Sequence, residues 1–286
     1  MKDILVLNIK FLYSFFLSIW LGLFCKKINL PKASKEKCYV LGNGPSLTKD
    51  IAGKEDFLAT QDIFVVNHFA KTDLFLQLKP AFYVFADPAF WEDVKDPFTK
   101  EKVNKTLEVL KMTVDWHLTL FAPSNAVSAL KKKMSENTFI QIQAYGKQKL
   151  DYSFRSLRYL AYRKNVAMPH AQTVMNAALF LAINMEYKEI NVLGIDHNWF
   201  KNLVLDDDNV LYFNDTHFYN EAGDSKTKAE NNITGHAFLV HEELRFAADA
   251  LESHHKINDY ALYKGATIYN YTSTSFVDAY PRKKII

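Results

Sequence analysis

Cysteine is nearly missing from this chain: only Cys25 and Cys38 occur among 286 residues. Two thiols so placed build neither a disulfide framework nor a metal cluster, and their scarcity fits a reducing compartment. Excess charge is missing as well. The net charge is +3, and the lysines are scattered apart from Lys131-Lys132-Lys133 and Lys283-Lys284, short runs of the kind found on solvated faces. That balance gives no broad electrostatic argument for nucleic acid, so none is expected as a partner. No internal repeat is visible. What the chain does have is apolar bulk, 49% hydrophobic and 14% aromatic. This is enough to bury the core of one large domain, or of a domain plus a lid.

The N-terminus differs from everything after it. Apolar residues run from Ile4 to Cys25, interrupted by Asn8 and Lys10. The clean part, Phe11 to Cys25, makes a helix of about 22 Å at roughly 1.5 Å per residue, short of the ~20 residues a spanning helix wants. Phe24-Cys25-Lys26-Lys27 offers no small-residue cleavage site, which argues against a signal peptide. Lys10, Lys26 and Lys27 can snorkel while Trp20 and the phenylalanines sit at the acyl boundary. Residues 1–30 are therefore expected to form a membrane-associated helix. The competing reading is a core-packed or dimer-forming helix, which would make the chain a homo-oligomer.

Residues 36–286 are expected to form one α/β domain. Short apolar strand candidates occur at Cys38–Leu41, Ile63–Val66, Phe82–Phe85, Leu118–Phe121, Phe139–Ile142, Ile190–Leu193 and Thr267–Tyr269. They are rich in Val, Ile, Phe and Tyr, as strands covered on both faces are. Helical patterns lie between them. Val174, Ala177, Ala178, Leu181 and Met185 share one helical face, and so do Leu244, Ala247, Ala248 and Leu251 in a helix from Glu242 to Ser253. This alternation predicts a Rossmann-like, mostly parallel, doubly wound sheet. From 197 to 235 the periodicity stops. An unpatterned stretch directly after a strand end is expected to be a lid or substrate loop.

The sharpest motif is Gly42-Asn43-Gly44-Pro45-Ser46, between a strand and a helix start. The glycines allow close backbone approach to a ligand or a positive φ. Pro45 costs no donor in a first turn, and the Ser46 hydroxyl can meet a free N–H or a phosphate. The position of a third fingerprint glycine is Leu47, and no Walker lysine follows, so a phosphate-bearing ligand other than NAD is expected. Asn67, Asp87 and Asp196 each follow an apolar strand, which a parallel sheet would line along one rim. Thr173 opens a helix whose N–H groups can face an anion. Asp206-Asp207-Asp208 has turn composition, and its three carboxylates point in different directions, so no metal site is expected there.

In order and spacing, "GNGPSL", "VVNHF", "FADPAF" and "MEYKEINVLGID" resemble the small bacterial sialyltransferases over residues 38–200. The likeness continues more weakly through "THFY", "GH" and "IYNYTSTSFVD". That Rossmann-like superfamily also includes hydroxymethylpterin pyrophosphokinase and flagellin-modifying glycosyltransferases. The resemblance implies an inverting glycosyltransferase with a CMP-activated, sialic-acid-like donor and a glycan or lipid-linked glycan acceptor. It implies no cofactor, and with the N-terminal helix it implies the cytoplasmic face of the inner membrane.

By resemblance, Gly42, Asn43, Gly44, Pro45, Ser46, Asn67, Asp87, Thr173, Asp196, Thr272, Ser273 and Ser275 are donor-binding. His236 is the family's base. His217 is a second base candidate from its ordered aromatic setting. The family's arginine before the helix start is absent here, with His170 nearby. His197, Asn198 and Trp199 replace its phosphate-binding tyrosines, for which Tyr212 or Tyr219 are candidate substitutes. Two alternatives remain: an ATP- and magnesium-dependent phosphotransferase, using Asp73, Asp87 and Asp196, and a non-catalytic nucleotide- or glycan-binding protein.

Overall fold

The computed structural model describes residues 2–214, 226–231 and 233–284. Five strands come first: β1 (Lys37–Leu41), β2 (Asp62–Val66), β3 (Phe82–Val84), β4 (Leu118–Pro123) and β5 (Ile140–Tyr145). Two-residue β6 (Gln148–Lys149) and β7 (Ala167–Met168) pair with each other, and β8 (Glu189–Leu193) follows. The chain then forms β9 (Leu203–Leu205), β10 (Leu211–Asn214), β11 (Lys226–Lys228) and β12 (Thr267–Asn270). All seven expected strands are present. The largest shift is in β5, which continues past Ile142 to Tyr145.

These seven form one sheet in the order β12-β8-β1-β2-β3-β4-β5, and every neighbouring pair is parallel. The chain starts in the middle at β1, steps outward to β5, and returns to place β8 on the other side of β1. The winding direction therefore reverses between β1 and β8, the point at which open α/β sheets leave a crevice beyond their carboxyl ends. Alternate residues feed two cores. Cys38, Val40, Phe64, Val66, Val84 and Phe121 pack into one, while Leu41, Ile63, Val65, Tyr83, Phe85 and Leu120 pack into the other.

The helices are α1 (Lys2–Ile19), α2 (Leu47–Ile51), α3 (Glu55–Ala59), α4 (Asp73–Leu78), α5 (Pro97–Thr113), α6 (Val127–Lys133), α7 (Arg155–Arg163), α8 (Val174–Asn184) and α9 (Val240–Tyr263). Helix α8 is buried all round from Met175 to Ile183, because it lies between the sheet and α9. Helix α9 differs from expectation in two ways. It is 24 residues long, running to Tyr263. Its buried face also carries Glu243, Ala247, Ala250, His254, Ile257 and Ala261, while Leu244 is exposed. Burying Glu243 and His254 rotates the inner face away from the one that apolar residues alone would mark.

The N-terminal apolar helix is present, and a π-helical turn, Trp20–Phe24, ends it. One side packs on the body. Ser14 accepts the Tyr152 N–H at 3.2 Å, Phe11 and Phe15 meet Phe154 edge-on, and Gly22 sits against Leu160. The other side exposes Val6, Ile9, Tyr13, Phe16, Trp20 and Phe24 at helical spacing, Phe24 at 74%. The Val6–Phe24 stretch is long and apolar enough to cross a membrane by length and composition. The following strap is pinned, with the Ala33 N–H donating to Met185 O at 2.8 Å.

Candidate active site

Three loops knit together at the carboxyl ends of β1, β8 and β12. The Gly42 N–H donates to Leu193 O at 2.8 Å, and the Gly44 N–H donates to Gly194 O at 2.9 Å. A Cβ on Gly42 would fall 2.3 Å from Gly194 O, and one on Gly44 would fall 1.9 Å from Asp196 Oδ2. Close approach does explain these glycines, but the approaching group is the β8 loop. Neither adopts a positive φ; Gly194 does, at 66°.

Asp196 is the centre of the knot, at 2% exposure. Ser46 Oγ donates to its Oδ2 at 2.9 Å, and Thr274 Oγ1 donates to its Oδ1 at 2.8 Å. Burial raises its pKa, and the two hydroxyls oppose that rise. The β12 loop is fastened at two more points. Thr272 Oγ1 accepts the Ile195 N–H at 3.2 Å, and Ser275 Oγ donates to Ile195 O at 2.7 Å. Ser273 N–H donates to Asp50 at 2.9 Å, and the Arg282 guanidinium grips the carbonyls of Thr272, Ser273 and Ser275. Ser46, Thr272 and Ser275 thus sit where three loops meet, with their hydroxyls engaged in joining them.

A cavity of about 350 Å³ opens beside this knot. Asn43, Gly44, Pro45, Asn67, Asp87, Thr173 and Asp196, expected separately from distant segments, all line it. Asn67 takes a left-handed φ of 46° directly after β2, with its carbonyl held by the Tyr83 hydroxyl. The side-chain oxygens of Asn43 and Asn67 are buried without a hydrogen-bond partner. Unpaired amide acceptors beside an open cavity suit ligand N–H or O–H donors, since leaving them unmade is costly. Asp87 Oδ1 accepts the Ala89 N–H at 2.9 Å, capping a short turn. Thr173 caps α8 in a reciprocal box with Asn176, so the positive end of an 11-residue helix faces the cavity.

Other lining residues were not among the expected donor-binding set. Lys102 projects from mid-α5, and His68 follows Asn67 with Nδ1 2.7 Å from Thr106 Oγ1. His197 is the histidine directly after Asp196. Its Nε2 lies 3.5 Å from Thr173 Oγ1, and its ring packs on Trp199 and on buried His254. Burial lowers the His197 pKa to about 4, so the ring is neutral near pH 7. His254 Nδ1 meets the Tyr280 hydroxyl at 2.8 Å. The sequence signal for His197 was its place at a strand end; Lys102 had none.

A second cavity of about 360 Å³ adjoins the first and shares His68, Asp87 and Lys102 with it. The 197–235 insertion supplies one wall. Its described residues include a three-stranded antiparallel sheet, β11-β10-β9, from which Phe213, Thr227 and Lys228 line this space. Tyr212 neighbours Phe213 on β10, so its side chain leaves the other face, where its hydroxyl meets Asp206. His236 lines neither cavity. It is exposed, with Nε2 3.6 Å from Glu242 Oε2. His217 and Tyr219 lie outside the described residues.

A solved structure shares this fold. It is the MAf glycosyltransferase from Magnetospirillum magneticum AMB-1, similar at a TM-score of 0.51 and 10% identity over 90% of this chain. The chain spans 35% of that protein's length. No protein-family model matches the chain, and no curated protein matches it in sequence.

Proposed function

We propose that the chain is a glycosyltransferase that moves a sialic-acid-like sugar from a CMP-activated donor to a glycan acceptor. One observation carries this reading: Asn43, Asn67, Asp87, Thr173 and Asp196 converge on a single cavity at the switch point of a parallel sheet. The fold shared with a glycosyltransferase supports it, as does the order of motifs through "NVLGID".

The chemistry assigns roles. The donor phosphate sits at the N-terminus of α8 with Lys102 nearby, where the helix dipole and an ammonium stabilise the charge that grows as the sugar–phosphate bond breaks. The acceptor hydroxyl oxygen bonds to the anomeric carbon, its proton passes to a base, and CMP leaves with the phosphate. His197 takes the role of base, because it lines the cavity while His236 lies outside it. The exposed apolar face of α1 seats the protein on a membrane carrying the acceptor.

Thermal shift with CMP against ATP plus magnesium, followed by mass spectrometry of donor hydrolysis, tests the reading. Stabilisation by CMP and release of free sugar are expected. Stabilisation by ATP with magnesium and none by CMP would replace it with phosphotransfer. CMP binding with no turnover would leave a binding protein.

A further inference from the structure

An open groove of about 930 Å³ lies at the carboxyl ends of β4 and β5, beside the switch-point cavity and distinct from it. Its two walls differ in chemistry. Trp20, Leu21 and Ile28, from the end of the N-terminal helix and the strap after it, make one wall apolar. Lys147, Lys149 and His170 make the other cationic or polar. A groove so divided can take an apolar chain on one side and a polar head on the other. It fits an amphiphile with an anionic head.

Three observations place the head. Lys147 Nζ donates to Ala86 O at 2.7 Å, one residue before Asp87, so its ammonium stands at the border of groove and donor cavity. His170 lines the groove as well, although its buried Nδ1 is turned to the Asp249 carboxylate, 3.7 Å from Oδ2, and not to the groove. His170 also lies three residues before Thr173, which caps α8 inside the cavity. The apolar wall continues in the opposite direction. Past Trp20, the exposed Phe24 at the end of the helix marks where a lipid chain would leave the protein, whereas Phe16 does not line the groove.

We propose that this groove is the acceptor subsite, taking a lipid-linked acceptor by its phosphate-bearing, alkyl-chain end. The proposal rests on the transferase reading above. The phosphate lies between Lys147, Lys149 and His170, the chain runs along Leu21 and Trp20, and the glycan end reaches the donor cavity past Asp87.

The test titrates the full chain with n-dodecyl phosphate below its micelle concentration, and in parallel with inorganic phosphate and dodecyl maltoside. Dodecyl phosphate is expected to bind at least tenfold more tightly than either. Trp20→Ser and Lys149→Gln should each weaken it fivefold or more, Lys149→Arg should bind like the parent, and Phe16→Ser on the outer face should change nothing. Equal binding of the three probes, no saturation by dodecyl phosphate, or equal loss in Phe16→Ser and Trp20→Ser would overturn the groove. The CMP thermal shift in the same samples reports the donor cavity separately. Its retention with no alkyl-phosphate binding removes the groove alone, and its absence with binding intact removes the transferase reading and leaves the groove an alkyl-phosphate site that is not an acceptor subsite.

Discussion

Ser46 Oγ stands 2.9 Å from Asp196 Oδ2, across 150 residues of chain. That bond joins the loop after β1 to the loop after β8, and Gly44 lies between them with no room for a methyl group. The glycine motif, which looks like a phosphate loop, is first a device for closing two strand ends onto each other. The ligand face it leaves is made of Asn43, Gly44 and Pro45.

Gly44→Ala should therefore be among the most damaging small substitutions in the chain. Its Cβ would sit 1.9 Å from the Asp196 carboxylate, so a loss of about 3 kcal/mol or more is expected, the scale of overpacking at a tight site. Gly53→Ala, at φ 73° with nothing near it, should cost only about 1 kcal/mol for its left-handed backbone. Urea unfolding of both variants checks the contrast.

Asp196→Asn should alter how stability depends on pH. Burial raises the Asp196 pKa in the folded state. The folded protein thus holds this proton more firmly than the unfolded chain. That stabilising contribution is complete below the ordinary aspartate pKa and is lost as pH rises through the folded value. The parent should gain stability relative to Asp196→Asn as pH falls through this window. A difference that is flat with pH would contradict the assignment.

His197 behaves in the opposite sense. Its pKa is lowered from 6.5 to about 4, so the neutral ring favours the fold above pH 6.5, and that contribution is lost as pH falls from 6.5 toward 4. His197→Asn should flatten this part of the stability profile, measured by thermal melts across pH. It should also reduce transfer by about 10²-fold or more if the ring is the base, while leaving CMP binding within a few fold.

Thr173→Ala removes the cap of α8 and should lower stability by about 1 kcal/mol. It should also weaken CMP binding by disordering the helix end that faces the phosphate. Stability by urea and affinity by titration are expected to fall together. A stability loss with unchanged CMP affinity would separate the cap from the ligand.

The α1 face can be tested on vesicles. The triple variant Phe16→Ser, Trp20→Ser, Phe24→Ser removes three exposed apolar side chains and should abolish co-sedimentation with anionic lipid vesicles while leaving the melting temperature within a few degrees. Retained sedimentation would point to another membrane contact.

By itself the sequence determined the layered architecture. Strands such as Ile63–Val66, apolar on both sides, can only be buried on both faces, and the helical patterns between them force parallel crossovers. It also marked the residues that end strands, because a polar side chain directly after an apolar run is a local signal. The tertiary structure decided which hydroxyls remain for a ligand. Ser46, Thr272 and Ser275 read as ligand contacts in one dimension, yet they bond to groups 150, 77 and 80 residues away. It also decided that His197 rather than His236 reaches the cavity, and that α9 buries Glu243 and His254 instead of Leu244. Periodicity and turn chemistry are properties of neighbours in sequence, whereas burial and hydrogen-bond partnership at this site are set by loops that meet only once the sheet has closed.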